Sequence, residues 1–275
     1  MALDPSVGMM RKKLFGTMAL TLCATTAIGA LNLISVNDEV ALGRKAQQQV
    51  RQQVPELRDA TINRYIDSLG RRIAAAADGP RYPYSFDVVN YRDANAFALP
   101  GGPVWVHRGL IDAARNESQL AGVLAHEVAH IASRHAAEQI SKGTIANVGL
   151  GLLAAFLGDS TGAQIAQLGA GVAAQATMMK FSRDDEREAD QKALRYMKRA
   201  GYDPRGMVEF LQLLRAQQGR DPGSVQTFFS SHPAPADRVS RLQQEANRLA
   251  GGRRDSPMFQ TIQRRLDRLP SAPRR

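Results

Sequence analysis

The first half of the chain alternates apolar and polar residues with two different periods. "NDEVALGRKAQQQVRQQV" (37–54) and "TINRYIDSLGRRIAAAA" (61–77) repeat their apolar positions every three to four residues, which predicts two amphipathic helices. "YSFDVVNY" (84–91) has strand character, and "NAFALPGGPVWVHRGL" (95–110) sets Gly101 and Gly102 before "VWVHR", as a tight turn into a second strand requires. Helices come first, then a small sheet. Asn116, three residues before Gln119, is a cap for the next helix. Residues 143–179 are apolar, rich in Gly and Ala, and broken by Asp159 and Ser160. Each half is short for a bilayer span, so the expectation is a helical hairpin or two short helices packed on the core. Ser182 with Asp185 three residues later is a capping-box start. Phe259, Ile262, Leu266 and Leu269 then return to helical spacing, with Arg on the opposite side.

The capped helix carries the chemistry. In "AGVLAHEVAHIASRH" (121–135), His126 and His130 are four residues apart and share one face. Two imidazoles so placed can each give a nitrogen to one zinc ion. Glu127, one step round the helix, can take a proton from the attacking water without occupying a ligand position. Catalytic zinc usually has three protein ligands, so one is missing. The short continuation that supplies it within the same helix needs Gly at 133 and His at 136, where this chain has Ser133 and Ala136. His135, nine residues from His126, falls about 900° round a continuous helix and so on the opposite face. It is read as structural or exposed. In "FSRDDEREADQKALRYM" (181–197), Glu186 and Asp190 share a face and Glu188 points away. Glu186 can complete the zinc site and Asp190 can accept the other ring N–H of a zinc histidine. A solvated acidic helix start explains the same residues.

"HEVAH", "SRDDEREAD" about fifty residues on, and then "SHPAPADR" together resemble the zinc metallopeptidase family that includes the CAAX prenyl proteases and the HtpX-type proteases. "NAFALPGGPVWVHRGLI" (95–111) is similar to the segment before the zinc helix in that family. The likeness spans residues 35 to 250 and is nearest to short bacterial envelope members. It implies a mainly α-helical α+β fold of gluzincin type, a small sheet beside the zinc helix, and one Zn2+ per chain held by His126, His130 and Glu186. It also implies an endopeptidase acting on proteins or peptides. His232 and Arg238 are, by the same resemblance, candidate donors to the oxyanion. His232 has a second option, because a neutral imidazole facing an open zinc position can ligate it and make the resting enzyme latent. The edge of "VWVHR" is a candidate for pairing with an extended substrate, which nominates Asn95, Ala96, Gly101, Gly102 and Val104. A purely structural hairpin accounts for that segment equally well. The rival function is a zinc-containing peptide-binding or chaperone module with weak or latent proteolysis, and Glu127 argues against it.

Composition changes this picture little. The 275 residues, 44% of them hydrophobic, suffice for one core, without repeats or long low-complexity linkers. The net charge of +10 would suggest nucleic acid if spread over the body, but residues 251–275 hold seven Arg against two Asp and residues 1–13 three basic groups against one acid. The remaining 237 residues carry only +3, so no nucleic-acid partner is expected. "MMRKK" and the uncharged stretch Leu14 to Ile34, with small residues around 27–30, read as an export signal or an N-terminal anchor over residues 1–30. Leu22 disfavours lipidation of Cys23, the one cysteine. The expected plan is therefore a targeting segment, a zinc metallopeptidase domain over 31–250, and a basic tail over 251–275 with a short amphipathic helix. Location in the periplasm or membrane-associated envelope follows, with membrane-surface contact through 143–179 or the tail. Oligomeric state is left open.

Overall fold

Local signals fix the ends of the helices that frame the site. In the computed structural model, which describes residues 34–142, 181–233 and 236–274, α1 (Val36–Gln53) starts at Ser35, whose hydroxyl accepts from the amide of Asp38. α2 (Ala60–Ala74) starts at Asp59, whose carboxylate accepts from the amides of Thr61 and Ile62. The predicted N-terminal segment and the 143–179 hairpin lie outside the described residues. The described residues lie in one compact unit. Among the described residues no helix is long and apolar enough to cross a membrane.

Three strands, β1 (Ser85–Val89), β2 (Ala96–Ala98) and β3 (Pro103–His107), form a sheet of order β1-β3-β2. β3 runs parallel to β1, with Phe86 opposite Val104, and antiparallel to β2, with Phe97 opposite Trp105. The central place of β3 corrects the expectation of an exposed "VWVHR" edge. Both its edges are paired and all five of its residues are buried, so Val104 cannot pair with a substrate. Gly101 and Gly102, at φ of 74° and 129°, make the β2–β3 turn and are packed inward: a Cβ on Gly101 would lie 2.4 Å from the Glu39 carbonyl oxygen. Of the residues nominated for substrate, Ala96 begins the β2 edge strand, which packs against the zinc-motif helix, whereas Asn95 precedes it with its carbonyl accepting from the His107 amide.

After α3 (Arg108–Ala113), that helix, α4 (Glu117–Ala132), is capped by Asn116, whose side chain accepts from the Gln119 amide. All 16 residues of α4 are buried. α2, α5 (Arg183–Arg199) and α6 (Arg205–Gln218) pack around it. A Cβ on Gly122 would sit 2.7 Å from the Met207 Cα, so α4 and α6 approach closely. The Ser182–Asp185 capping box is fully formed at the start of α5.

The chain turns back after α4. Arg134 adopts φ 62°, alone among the described non-glycine residues in being positive, and a further helical stretch starts at 135. Arg134 is held there by the buried carboxylate of Glu39, 2.6 Å from its Nε, and by the carbonyl of Ile34; Tyr82 donates to the other Glu39 oxygen at 2.6 Å.

α7 (Gln226–Ser231), α8 (Ala236–Arg248) and α9 (Pro257–Asp267) complete the described elements. α9 is the amphipathic helix expected in the tail. It buries Phe259, Ile262 and Leu266 against α2 and α3, roughly 1.5–3 kcal/mol for each such side chain. Arg108 donates to the carbonyls of Leu266 and Pro270, both at 2.7 Å, and Arg265 pairs with Asp59 at 2.6 Å.

Candidate metal centre and active site

Helical spacing brings the two motif histidines together: the Nε2 atoms of His126 and His130 are 3.0 Å apart, with their rings at 81°. α5, packed along α4, brings in Glu186. Its Oε1 is 3.3 Å from His130 Nε2 and its Oε2 is 3.5 Å from His126 Nε2. His232, just beyond α7, adds Nδ1 at 2.9 Å from Glu186 Oε1 and 3.2 Å from His126 Nε2. The ligand atoms of His126, His130, Glu186 and His232 all lie within 4.8 Å of one another, and all four residues are buried.

This donor set fits zinc. Bonds of about 2.0–2.1 Å in a tetrahedron separate ligand atoms by about 3.4 Å, close to the spacings found. Ring nitrogens 3.0 Å apart also need a proton or a cation between them. Charge favours the cation. Burial penalises a charged His126, yet Glu186 and Asp190 overcome it and push the ring up to about 9. Burial prevails at His130 and pushes that ring well below its ordinary range, toward the neutral, ligating form. Glu186 is held well below the usual carboxylate range against its own desolvation by His232 and His126.

Behind the ligands, Asp190 Oδ1 lies 3.2 Å from His126 Nδ1, as expected for a carboxylate that fixes the ring's tautomer. Arg238 differs from its expected role as an oxyanion donor. Its Nε and Nη2 donate to the two oxygens of Asp190 at 2.8 and 2.7 Å, and its Nη1 reaches the Pro233 carbonyl at 2.9 Å and Glu186 Oε2 at 2.7 Å. The guanidinium is thus committed to the two carboxylates, and it is 2% exposed.

Glu127 is also buried, and neither carboxylate oxygen has a hydrogen-bond partner among the described residues. His232 Nε2 stands 3.5 Å from Oε1. A buried carboxylate whose desolvation no hydrogen bond among the described residues offsets is expected where the group serves a reaction.

Two neighbours of the centre escaped the sequence. His135 is neither exposed nor on a far face: the reversal at Arg134 brings its Nδ1 to 2.9 Å from His130 Nδ1, and the residue is 2% exposed. The extrapolation failed because α4 ends at Ala132, where neither Gly nor Pro announces the break. Phe181 stacks on His130, with ring centroids 4.0 Å apart at 24°. Its position immediately before the Ser182 cap was the only local cue.

A family model described as peptidase family M48 matches residues 60–246. The chain is 34% identical over 229 residues to a beta-barrel assembly-enhancing protease of Yersinia pestis, covering 82% of this chain and 46% of that protein. It is 30% identical over 218 residues to the mitochondrial metalloendopeptidase OMA1 of Schizosaccharomyces pombe, covering 78% and 62%. With the metalloprotease YcaL of Escherichia coli the identity is 30% over 189 residues, covering 67% and 71%. The chain spans slightly less than half the length of the beta-barrel assembly-enhancing proteases it matches.

Proposed function

The chain belongs to peptidase family M48 and carries that family's zinc metalloendopeptidase site, and we propose that it hydrolyses peptide bonds of unfolded or misassembled proteins in the bacterial cell envelope. The observation that carries this reading is Glu127: a buried carboxylate without hydrogen-bond partners among the described residues, one residue from a ligand and 3.5 Å from His232.

His126, His130 and Glu186 would hold a zinc ion, which would supply Lewis acidity to the attacking water and to the peptide carbonyl. Glu127 accepts the proton of the attacking water and passes it to the leaving amine. Asp190 holds His126 in the ligating tautomer, and Arg238 holds Asp190 and Glu186 in place. Arg238 is accordingly a positioning residue. The β2 edge, beginning at Ala96 beside α4, is the place for an extended substrate backbone. His232 would be a fourth ligand in a resting state; the convergence of its Nδ1 on Glu186 and His126 supports ligation more than oxyanion donation.

Export is supported by the basic and apolar pattern of the first 34 residues. Membrane-surface contact through the tail would be electrostatic, because the apolar face of α9 is spent on the core. A chaperone module without proteolysis gains no support from Glu127, whose oxygens make no hydrogen bond among the described residues. The test is incubation of the zinc-loaded chain with casein: internal cleavage is expected, and Glu127→Gln should keep its zinc and lose turnover by about 10²–10⁴-fold. Equal cleavage by the variant would remove the proposed base.

A further inference from the structure

His126 and His130 are backed differently. His126 Nδ1 faces a carboxylate, Asp190, whereas His130 Nδ1 faces another imidazole, that of His135, at 2.9 Å. His130 Nε2 points into the donor cluster, so for metal its lone pair must be there and its proton on Nδ1. Among the described residues that proton has one acceptor, Nδ1 of His135. His135 must then carry its own proton on Nε2, and Nε2 lies 3.5 Å from Glu188 Oε2 and 4.0 Å from Asp185 Oδ1.

We propose that His135 is a positioning residue of the zinc site: it accepts the Nδ1–H of His130, fixes Nε2 as the ligating nitrogen, and passes the polarity on to Glu188 at the surface. The proposal rests on the zinc reading above. An imidazole is a weaker acceptor than a carboxylate, so His130 is the less strongly polarised of the two histidine ligands. The reversal at Arg134, clamped by Glu39 and Tyr82, delivers His135 to this position. Phe181 covers one face of the His130 ring, which leaves its orientation to this hydrogen bond and to the stack.

The experiment compares zinc affinity, by competition with a chelating dye, in the full chain and in His135→Phe, His135→Asn and Glu188→Gln, with thermal unfolding recorded in parallel. Loss of an outer partner of a metal histidine typically weakens binding by about 10–100-fold. That loss is expected for His135→Phe, which fills the space without accepting. His135→Asn, whose side-chain carbonyl can accept from His130, should recover most of it, and Glu188→Gln should show a smaller loss. Wild-type affinity in His135→Phe, or an equal loss in Phe and Asn variants, would overturn the acceptor role. Should the Phe variant not fold, imidazole ¹⁵N spectra of the zinc-loaded wild type decide: His135 is expected as the Nε2–H tautomer, and an Nδ1–H tautomer or an imidazolium overturns the proposal. A wild-type chain that takes up no zinc would instead overturn the reading of the site itself.

Discussion

Arg238 grips Asp190 by two parallel hydrogen bonds, Nε to Oδ2 at 2.8 Å and Nη2 to Oδ1 at 2.7 Å, with both side chains almost wholly out of water. Removing one partner of a buried pair leaves the other charge stranded, at a cost of about 3–5 kcal/mol. Arg238→Ala should lose stability on that scale in urea denaturation and also bind zinc more weakly. Arg238→Lys should recover little, because a single ammonium cannot reproduce the fork. Wild-type stability in the Ala variant would show the pair to be dispensable.

Glu186 and Glu188 lie two residues apart on α5 and meet different neighbours. Glu186→Ala should lose most of the bound metal, and Glu188→Ala, altering a half-exposed group that contacts Ser133 and Lys192 and meets the zinc site only through His135, should keep most of it. Metal analysis of both purified proteins decides the matter. The opposite pattern would move the third ligand.

His232→Ala removes one of four converging ligands and leaves three. Zinc should remain bound and turnover on casein should rise. If one wild-type site in ten is free of the His232 bond at rest, the gain is about tenfold. Lost turnover with intact zinc would assign His232 to oxyanion stabilisation instead, and wild-type kinetics would remove both roles.

Asp203 ties the start of α6 to the rest of the domain. Its carboxylate accepts from the backbone amide of Arg205 and pairs with the side chains of Arg205 and Arg254. Against the desolvation of burial, Arg205 and then Arg254 lower its pKa from 3.8 to about 2. A depressed folded pKa stabilises above the unfolded value, so this contribution is complete above pH 4 and disappears as pH falls through about 2. The two arginines remain partly in water, which discounts the effect to about 1 kcal/mol. Asp203→Asn should be less stable than wild type by that amount at pH 7 and equal to it near pH 2, as measured by denaturant titration at both. An unchanged difference at the two pH values would mean that the ionised carboxylate contributes nothing.

The features legible in the sequence depend on neighbours along the chain. Asn116 and Ser182 cap their helices through residues three positions on, and His126 meets His130 one turn away. Glu186 could be nominated from its place on α5, but only the resemblance to a known family preferred it to a solvated helix start, and His232 needed that resemblance outright, because α5 and α7 reach α4 only through tertiary packing. What stayed hidden depends on distant partners. β3 is central because β1, with β2 lying between them in sequence, pairs with it in parallel. Arg134 adopts a conformation that arginine does not favour because Glu39, 95 residues earlier, holds it, and the place of His135 follows from that turn. The oxyanion role considered for Arg238 gave way to carboxylates on another helix.

The match to the family stops at residue 246, whereas Phe259, Ile262 and Leu266 of α9 are sunk between α2 and α3. A recombinant fragment trimmed to the matched boundary would therefore not be a smaller enzyme. It would expose a greasy socket lined by the side of α2 that bears Tyr65, and leave the Arg108 guanidinium, which now donates to Leu266 and Pro270, facing an open cleft. Such a fragment should self-associate, and crystallographers and protein engineers alike should keep the chain through at least residue 270.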